Sequence, residues 1–152
     1  MLVRALDPAA DLAVAAELLA VQSAAYAVEA RLLGDDRIPA LHEDLDGLRG
    51  AGLAWLGAVD GDGRLAGALA WSEDGGVLDV ERLVVAPALA RRGVGTALVR
   101  ALLDRAGERP AVVATGRDNA PARALYERLG FVRTGDREVA PGLWVTTYRH
   151  GS

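Results

Sequence analysis

Apolar residues at Leu12, Ala15, Ala16 and Leu19 recur with the spacing of one helical face. The pattern predicts a helix that runs on through Tyr26 to Leu33, until Gly34-Asp35-Asp36 breaks it. Asp7-Pro8 reads as its N-cap and first helical residue, behind a short apolar strand from Leu2 to Leu6. Glu43 to Leu48 reads as a second, short helix. Leu53 to Val59 and Leu65 to Trp71 read as strands joined at Asp60-Gly61-Asp62-Gly63, residues that tolerate the positive φ of a hairpin turn. Glu73-Asp74-Gly75-Gly76 turns the chain again into a strand from Val77 to Val85.

The period then changes. Val94, Ala97, Leu98, Ala101 and Leu102 share a helical face, and Ala111 to Thr115 is a short buried strand. Asn119 caps another helix, with Pro121 in its first turn, Ala122, Leu125, Tyr126 and Leu129 inward, and Gly130 at its end. Phe131 to Val139 and Leu143 to Arg149 close the chain around Pro141-Gly142. Strands alternating with helices in the second half require a parallel crossover, so the class is α/β (α+β) with a mixed sheet.

Composition narrows the chemistry. A length of 152 residues, half of them hydrophobic, suits a single domain over residues 1–152. Cysteine is absent, which excludes disulfides, a thiolate nucleophile and cysteine metal sites. All 17 basic residues are arginine, which removes Schiff-base chemistry and the P-loop lysine. A net charge of −4 without a basic stripe argues against nucleic acid. No unbroken apolar run reaches the ~18 residues of a membrane helix, and Met1 to Asp11 lacks a signal-peptide pattern. The expectation is a cytoplasmic protein with no membrane partner and no metal.

Arg91-Arg92-Gly93-Val94-Gly95-Thr96 opens the third major helix straight after a strand and Val85-Ala86-Pro87. The first turn of a helix has N–H groups without partners and a dipole that favours anions. Gly93 and Gly95 remove side chains that would hold a diphosphate off the backbone. The alternative is a tight strand-to-helix turn with solvated arginines. A Rossmann fingerprint fails because Leu98 stands at its third glycine, and a P-loop fails for want of Gly-Lys-Ser/Thr.

The order strand, Val-x-Pro, Arg-Arg-Gly-Val-Gly-Thr-Ala-Leu, strand, then Asn119, Ala122, Tyr126, Gly130 and Phe131, resembles the GCN5-related N-acetyltransferase (GNAT) family. The motifs cover roughly the second half, and the element order extends the likeness to the whole chain. One position departs: Ala90 stands where the family usually carries Gln or Arg. The resemblance implies a mostly antiparallel, six- to seven-stranded sheet flanked by about four helices, with a splayed parallel pair. It implies acetyl-CoA as cosubstrate, transfer of acetyl to a primary amine of a small-molecule acceptor, and a family that admits homodimers. A non-catalytic acyl-CoA sensor is the other reading.

By that resemblance, Leu83, Val84 and Val85 pair with the pantetheine arm, and the Val85 N–H polarises the thioester carbonyl. Arg91, Arg92, Gly93, Val94, Gly95 and Thr96 hold the diphosphate, and Asn119 bonds the pantetheine or caps its helix. Tyr126 matches the general acid, a phenol of pKa ~10 beside a thiol of ~8.5; position alone also allows a core tyrosine. Glu81 is the candidate base, since it shares strand parity with Leu83 and Val85, or else an ion-pair partner. Glu73, Glu29 and His42 are weaker candidates. Tyr26, Glu29 and Trp71 are candidate acceptor contacts in a pocket walled by about Gln22 to Asp46, with Trp55 and Trp144 as further aromatic surface. Acidic groups suit a cationic amine, while Arg31 and Arg37 suit a carboxylate. The acceptor stays open among a small amine, an amino acid, an antibiotic and a protein N-terminus.

Overall fold

The computed structural model describes residues 1–152. Seven strands form one sheet: β1 (Leu2–Leu6), β2 (Ala54–Val59), β3 (Leu65–Asp74), β4 (Val77–Val85), β5 (Ala111–Gly116), β6 (Val132–Ala140) and β7 (Leu143–His150), in the order β1-β2-β3-β4-β5-β7-β6. The helices are α1 (Leu12–Leu33), α2 (Leu45–Arg49), α3 (Val94–Ala106) and α4 (Ala120–Arg128). Only β4 and β5 run parallel. This is the mixed sheet with a parallel pair that the sequence predicts.

Apolar layers cover both faces of the sheet. Leu98, Val99 and Leu102 of α3 and Tyr126 of α4 pack with Leu56, Leu69, Leu78 and Val80 on one face. Ala15, Leu18 and Tyr26 of α1 and Leu48 of α2 pack with Trp55, Leu65, Ala68 and Val84 on the other. Strand β3 lies between the two layers and is buried from Leu65 through Trp71, as a strand covered on both faces must be.

Helix α1 departs from its sequence reading in two ways. Its N-cap is Asp11, whose carboxylate accepts the Val14 N–H at 3.1 Å; Asp7 and Pro8 form a preceding turn closed by the Asp7 carboxylate and the Ala10 N–H. Its inward residues are Ala15, Leu18, Gln22 and Tyr26, while Leu12 and Ala16 face solvent. An alanine-rich helix is apolar all round, so periodicity marks no face clearly. By length and composition α1 could cross a membrane, with a mean hydropathy of 1.3. In the fold its polar groups are used by the sheet layer: the Glu17 carboxylate accepts the Leu65 N–H at 3.0 Å, and Gln22 is fully buried in a polar network.

Two features open the sheet where the site lies. Pairing between β4 and β5 is limited to Leu78↔Ala111, Asp79↔Val112 and Val80↔Val113. Beyond Val80, β4 stays on β3 and β5 stays on β7, so a wedge opens between them. At the same point a β-bulge inserts Glu81, because Arg82 pairs with Ala70 and Val80 with Trp71. The bulge exchanges the faces of β4. Leu78 and Val80 join the α3 layer before it, whereas Leu83 and Val85 do so after it, and Val84 turns to the α1 layer. The parity argument for Glu81 therefore does not hold.

Gly67 lets α3 approach the sheet. A β-carbon there would lie 2.7 Å from the Val84 carbonyl oxygen and 2.8 Å from Val94 Cγ1. Backbone cannot swing aside as a side chain can, so Gly67→Ala is expected to destabilise the protein by about 1–3 kcal/mol. A denaturant midpoint lowered at constant m-value checks this.

Candidate functional site

Ahead of α3 the backbone forms a concavity of free amides that could hold an anion. Arg91 and Gly93 adopt left-handed conformations, φ 65° and 77°, which turns successive amides to one side. The N–H groups of Arg91 through Thr96 make no hydrogen bond within the protein, and α3 has no side-chain N-cap. A side chain on Gly93 would meet only open space. Arg91 and Arg92 are exposed and free of salt bridges, so two unpaired guanidinium groups stand beside Ala90 and could add charge there. A β-carbon on Gly95 would instead point into the protein, 3.2 Å from Leu125 Cδ2 and 3.9 Å from the Leu83 and Val85 side chains, so Gly95 lets the start of α3 pack against α4 and the end of β4 rather than clearing room for an anion.

The edge of β4 leads from there into the wedge. Ala86 donates its N–H to the Ala66 carbonyl at 2.8 Å. Alternation along an antiparallel pair then turns the Val84 amide toward β3, and the Leu83 and Val85 amides toward the wedge. Those two groups are presented as strand-edge donors with no β5 partner.

A cleft of about 440 Å³ fills the wedge and extends over the α1 face. Tyr126 enters it from α4 and Tyr26 from α1. Both rings are buried, at 3% and 7% exposure, and neither hydroxyl has a protein partner. No sealed-off side-chain polar atom in the structure lacks a partner, so both oxygens reach the cleft surface. Burial pushes each phenol above its usual range; Glu29 pushes both further, and Arg82 partly opposes this at Tyr26. Both hydroxyls therefore keep their protons through neutral pH.

Carboxylates line the opposite walls. Glu81 accepts the Ser72 hydroxyl at 2.8 Å. Ser72 pairs with Asp79, so Glu81 and Asp79 share the cleft side of β4. Burial raises the Asp79 carboxyl, Glu81 raises it further and Arg137 counters. Glu29 is also raised by burial, against the Asn119 amide that donates to it at 3.3 Å. Asn119 accepts the Ala122 N–H with its oxygen, so it caps α4 and holds Glu29 together. A carboxyl raised on folding binds more protons folded than unfolded, so stability falls as pH rises through that interval. Glu29→Gln is thus expected to raise the melting temperature at about pH 8 and to match the parent at about pH 3.5, below the unfolded carboxyl pKa. An equal shift at both values would contradict burial as the cause.

Several residues singled out in the sequence lie elsewhere. Trp71 is in the α3-side core under Arg105, 5.6 Å from ring centre to guanidinium carbon. Trp55 sits beneath Arg82 and Trp144 beneath Arg117, so the tryptophans form no shared wall. Glu73 pairs with Arg109 at 2.7 Å, outside the cleft. His42 and Arg31 are exposed and line nothing there. Arg37 does line it, tied to Asp35 and to the Pro141 carbonyl at 2.8 Å. That arginine holds the Asp35 carboxyl down at about 2.

Sequence reasoning missed Asp79, Arg137 and a buried network under the cleft. Arg82 bonds both Glu43 oxygens, at 2.6 and 2.9 Å, and the Gln22 side-chain oxygen at 3.1 Å. The available signal was a charged residue in an otherwise apolar stretch of strand.

Comparison with known proteins agrees with this geometry. The model of the acetyltransferase (GNAT) family matches residues 19–131. The UPF0157 protein YqkA of Bacillus subtilis is 32% identical over 136 residues, 89% of this chain and 39% of that protein. A mycothiol acetyltransferase of Clavibacter sepedonicus is 46% identical over 77 residues, 49% of this chain and 25% of that protein. The chain thus spans well under half the length of these relatives. The crystal structure of an aminoglycoside 6'-N-acetyltransferase complexed with coenzyme A superposes with a TM-score of 0.75, at 16% identity, over 99% of this chain and 96% of that one. The splayed strand pair, the free amides ahead of α3 and the family match together place this chain in the acetyltransferase (GNAT) family.

Proposed function

We propose that this protein transfers the acetyl group of acetyl-CoA to a primary amine of a small-molecule acceptor. The observation that carries the reading is the run of unpartnered amides from Arg91 to Thr96, at the start of a helix packed beside the free Leu83 and Val85 edge. Such a path suits a diphosphate followed by an extended, amide-bearing arm. Relatives whose names include mycothiol and aminoglycoside acetyltransferase agree with a small acceptor.

Acetyl-CoA supplies an activated acyl group as a thioester; the residues of this chain orient it and move protons. The diphosphate falls to the amides of Arg91 to Thr96, with Arg91 and Arg92 adding charge. Leu83 and Val85 edge donors receive the arm, and the Val85 N–H faces the carbonyl oxygen, where negative charge grows during attack. Glu81, held by Ser72 and reached by solvent, takes a proton from the acceptor ammonium, directly or through water. The amine nitrogen then bonds the acetyl carbon as the carbon–sulfur bond breaks. The Tyr126 hydroxyl gives its proton to sulfur and is restored by the second proton leaving nitrogen. Burial weakens a phenol as an acid, but the same burial makes a thiolate a stronger base, so the transfer stays matched.

Thiol release from acetyl-CoA with a panel of primary amines tests this. Amine-dependent release is expected. Calorimetric binding of acetyl-CoA with no release for any amine favours the sensor reading instead.

A further inference from the structure

We propose that the acceptor is a zwitterion of amino-acid type, its ammonium held by Asp79 and Glu81 on β4 and its carboxylate by Arg137 on β6. This rests on the acetyl-transfer reading and names the class of amine.

The arginines of the cleft differ in what they have left to bind. Arg82 is satisfied by Glu43 and Gln22. Arg37 is satisfied by Asp35 and the Pro141 carbonyl. Arg137 lines the same cleft and makes neither a hydrogen bond nor a salt bridge. No ion pair joins it to Asp79 or Glu81. One cleft thus carries carboxylates from β4 and a guanidinium from β6 with no ion pair between them.

The cleft holds a further polar group. The Tyr26 hydroxyl, on a ring only 7% exposed, has no protein partner and opens into this cleft. A buried polar group in that state is satisfied by a ligand or by water. Val80, Val113 and Val145 offer an apolar floor for a small aliphatic part.

Charge selects among acceptors. A simple cationic amine leaves Arg137 unmatched, and a polyanion meets Asp79, Glu81 and Glu29 with one free guanidinium in its favour. An amino group and a carboxylate on one small frame match both walls. Acetylation then removes the positive charge, so the product is an anion facing Asp79 and Glu81, and its release is favoured.

The test compares L-amino acids with their carboxamides, which keep the amine and lose the carboxylate. The amino acids are expected to exceed the carboxamides in kcat/KM by roughly tenfold or more, the scale of one charged hydrogen-bonded contact. In Arg137→Ala that gap collapses, Arg137→Lys recovers part of it, and acetyl-CoA affinity by calorimetry stays at the parent value. Equal use of the two series by the parent, or a gap that survives Arg137→Ala, overturns the proposal. If no amine releases thiol, the acetyl-transfer reading falls, and calorimetry with the same series decides the charge match. Preference for the amino acid that is lost in Arg137→Ala supports it, and no preference overturns it.

Discussion

Replacing Tyr126 with phenylalanine is expected to lower kcat by about a hundredfold, the low end of what a positioned general acid contributes. Acetyl-CoA affinity and stability should barely change. The ring stacks edge-on to Phe131, with centroids 5.3 Å apart at 65°, and phenylalanine keeps that contact. The hydroxyl has no partner in the protein, so its removal strands nothing. The loss therefore falls on the chemical step alone: kcat drops and KM for acetyl-CoA holds. A core tyrosine would give the reverse, with unchanged turnover across the pH range. Steady-state kinetics paired with thermal melting separate the two.

Arg82→Ala should have the largest effect on stability, about 3 kcal/mol or more, as for other half-removed buried ion pairs. Side-chain exposure is 12% for Arg82 and 15% for Glu43. The substitution leaves the Glu43 carboxylate in that setting with only the Gln22 amide for company, at 3.1 Å. It also orphans the Gln22 oxygen and takes the guanidinium from the face of Trp55. A fall in melting temperature on the order of 10 °C follows for a chain of this size. Adding Glu43→Leu to Arg82→Met should recover much of the loss, because the cost is an unmatched charge rather than a missing attraction. If the single and double variants melt alike, the network is not closed in solution.

The order of elements was legible because strands and helices here differ in period. Leu65 to Trp71 reads as strand from its apolar run, and Val94 to Leu102 reads as helix from its face. The amide concavity was legible too, since Gly93 has a local conformational reason to be there, whereas Gly95 is set by packing against Leu125 and the end of β4. What stayed hidden depends on residues far apart in sequence. The bulge at Glu81 is defined by pairing with Ala70 and Trp71, and without it parity assigns Glu81 to the wrong face. Gln22, Glu43 and Arg82 meet only once α1, its following loop and β4 are assembled. Trp71 and Trp144 offered aromatic area, but each is covered by a neighbouring arginine rather than turned to the cleft. Gly67 carried a usable signal, a lone glycine inside a strand, which marks a close backbone approach.

The Tyr126 prediction presupposes that the cofactor lies along the start of α3 and the β4 edge. Amide hydrogen exchange with and without coenzyme A examines that placement residue by residue. Slowed exchange is predicted at Arg91 through Thr96 and at Leu83 and Val85, with Val84, already bonded to β3, unchanged. Saturating coenzyme A that leaves those amides exchanging freely, or protects a different surface, would contradict the account.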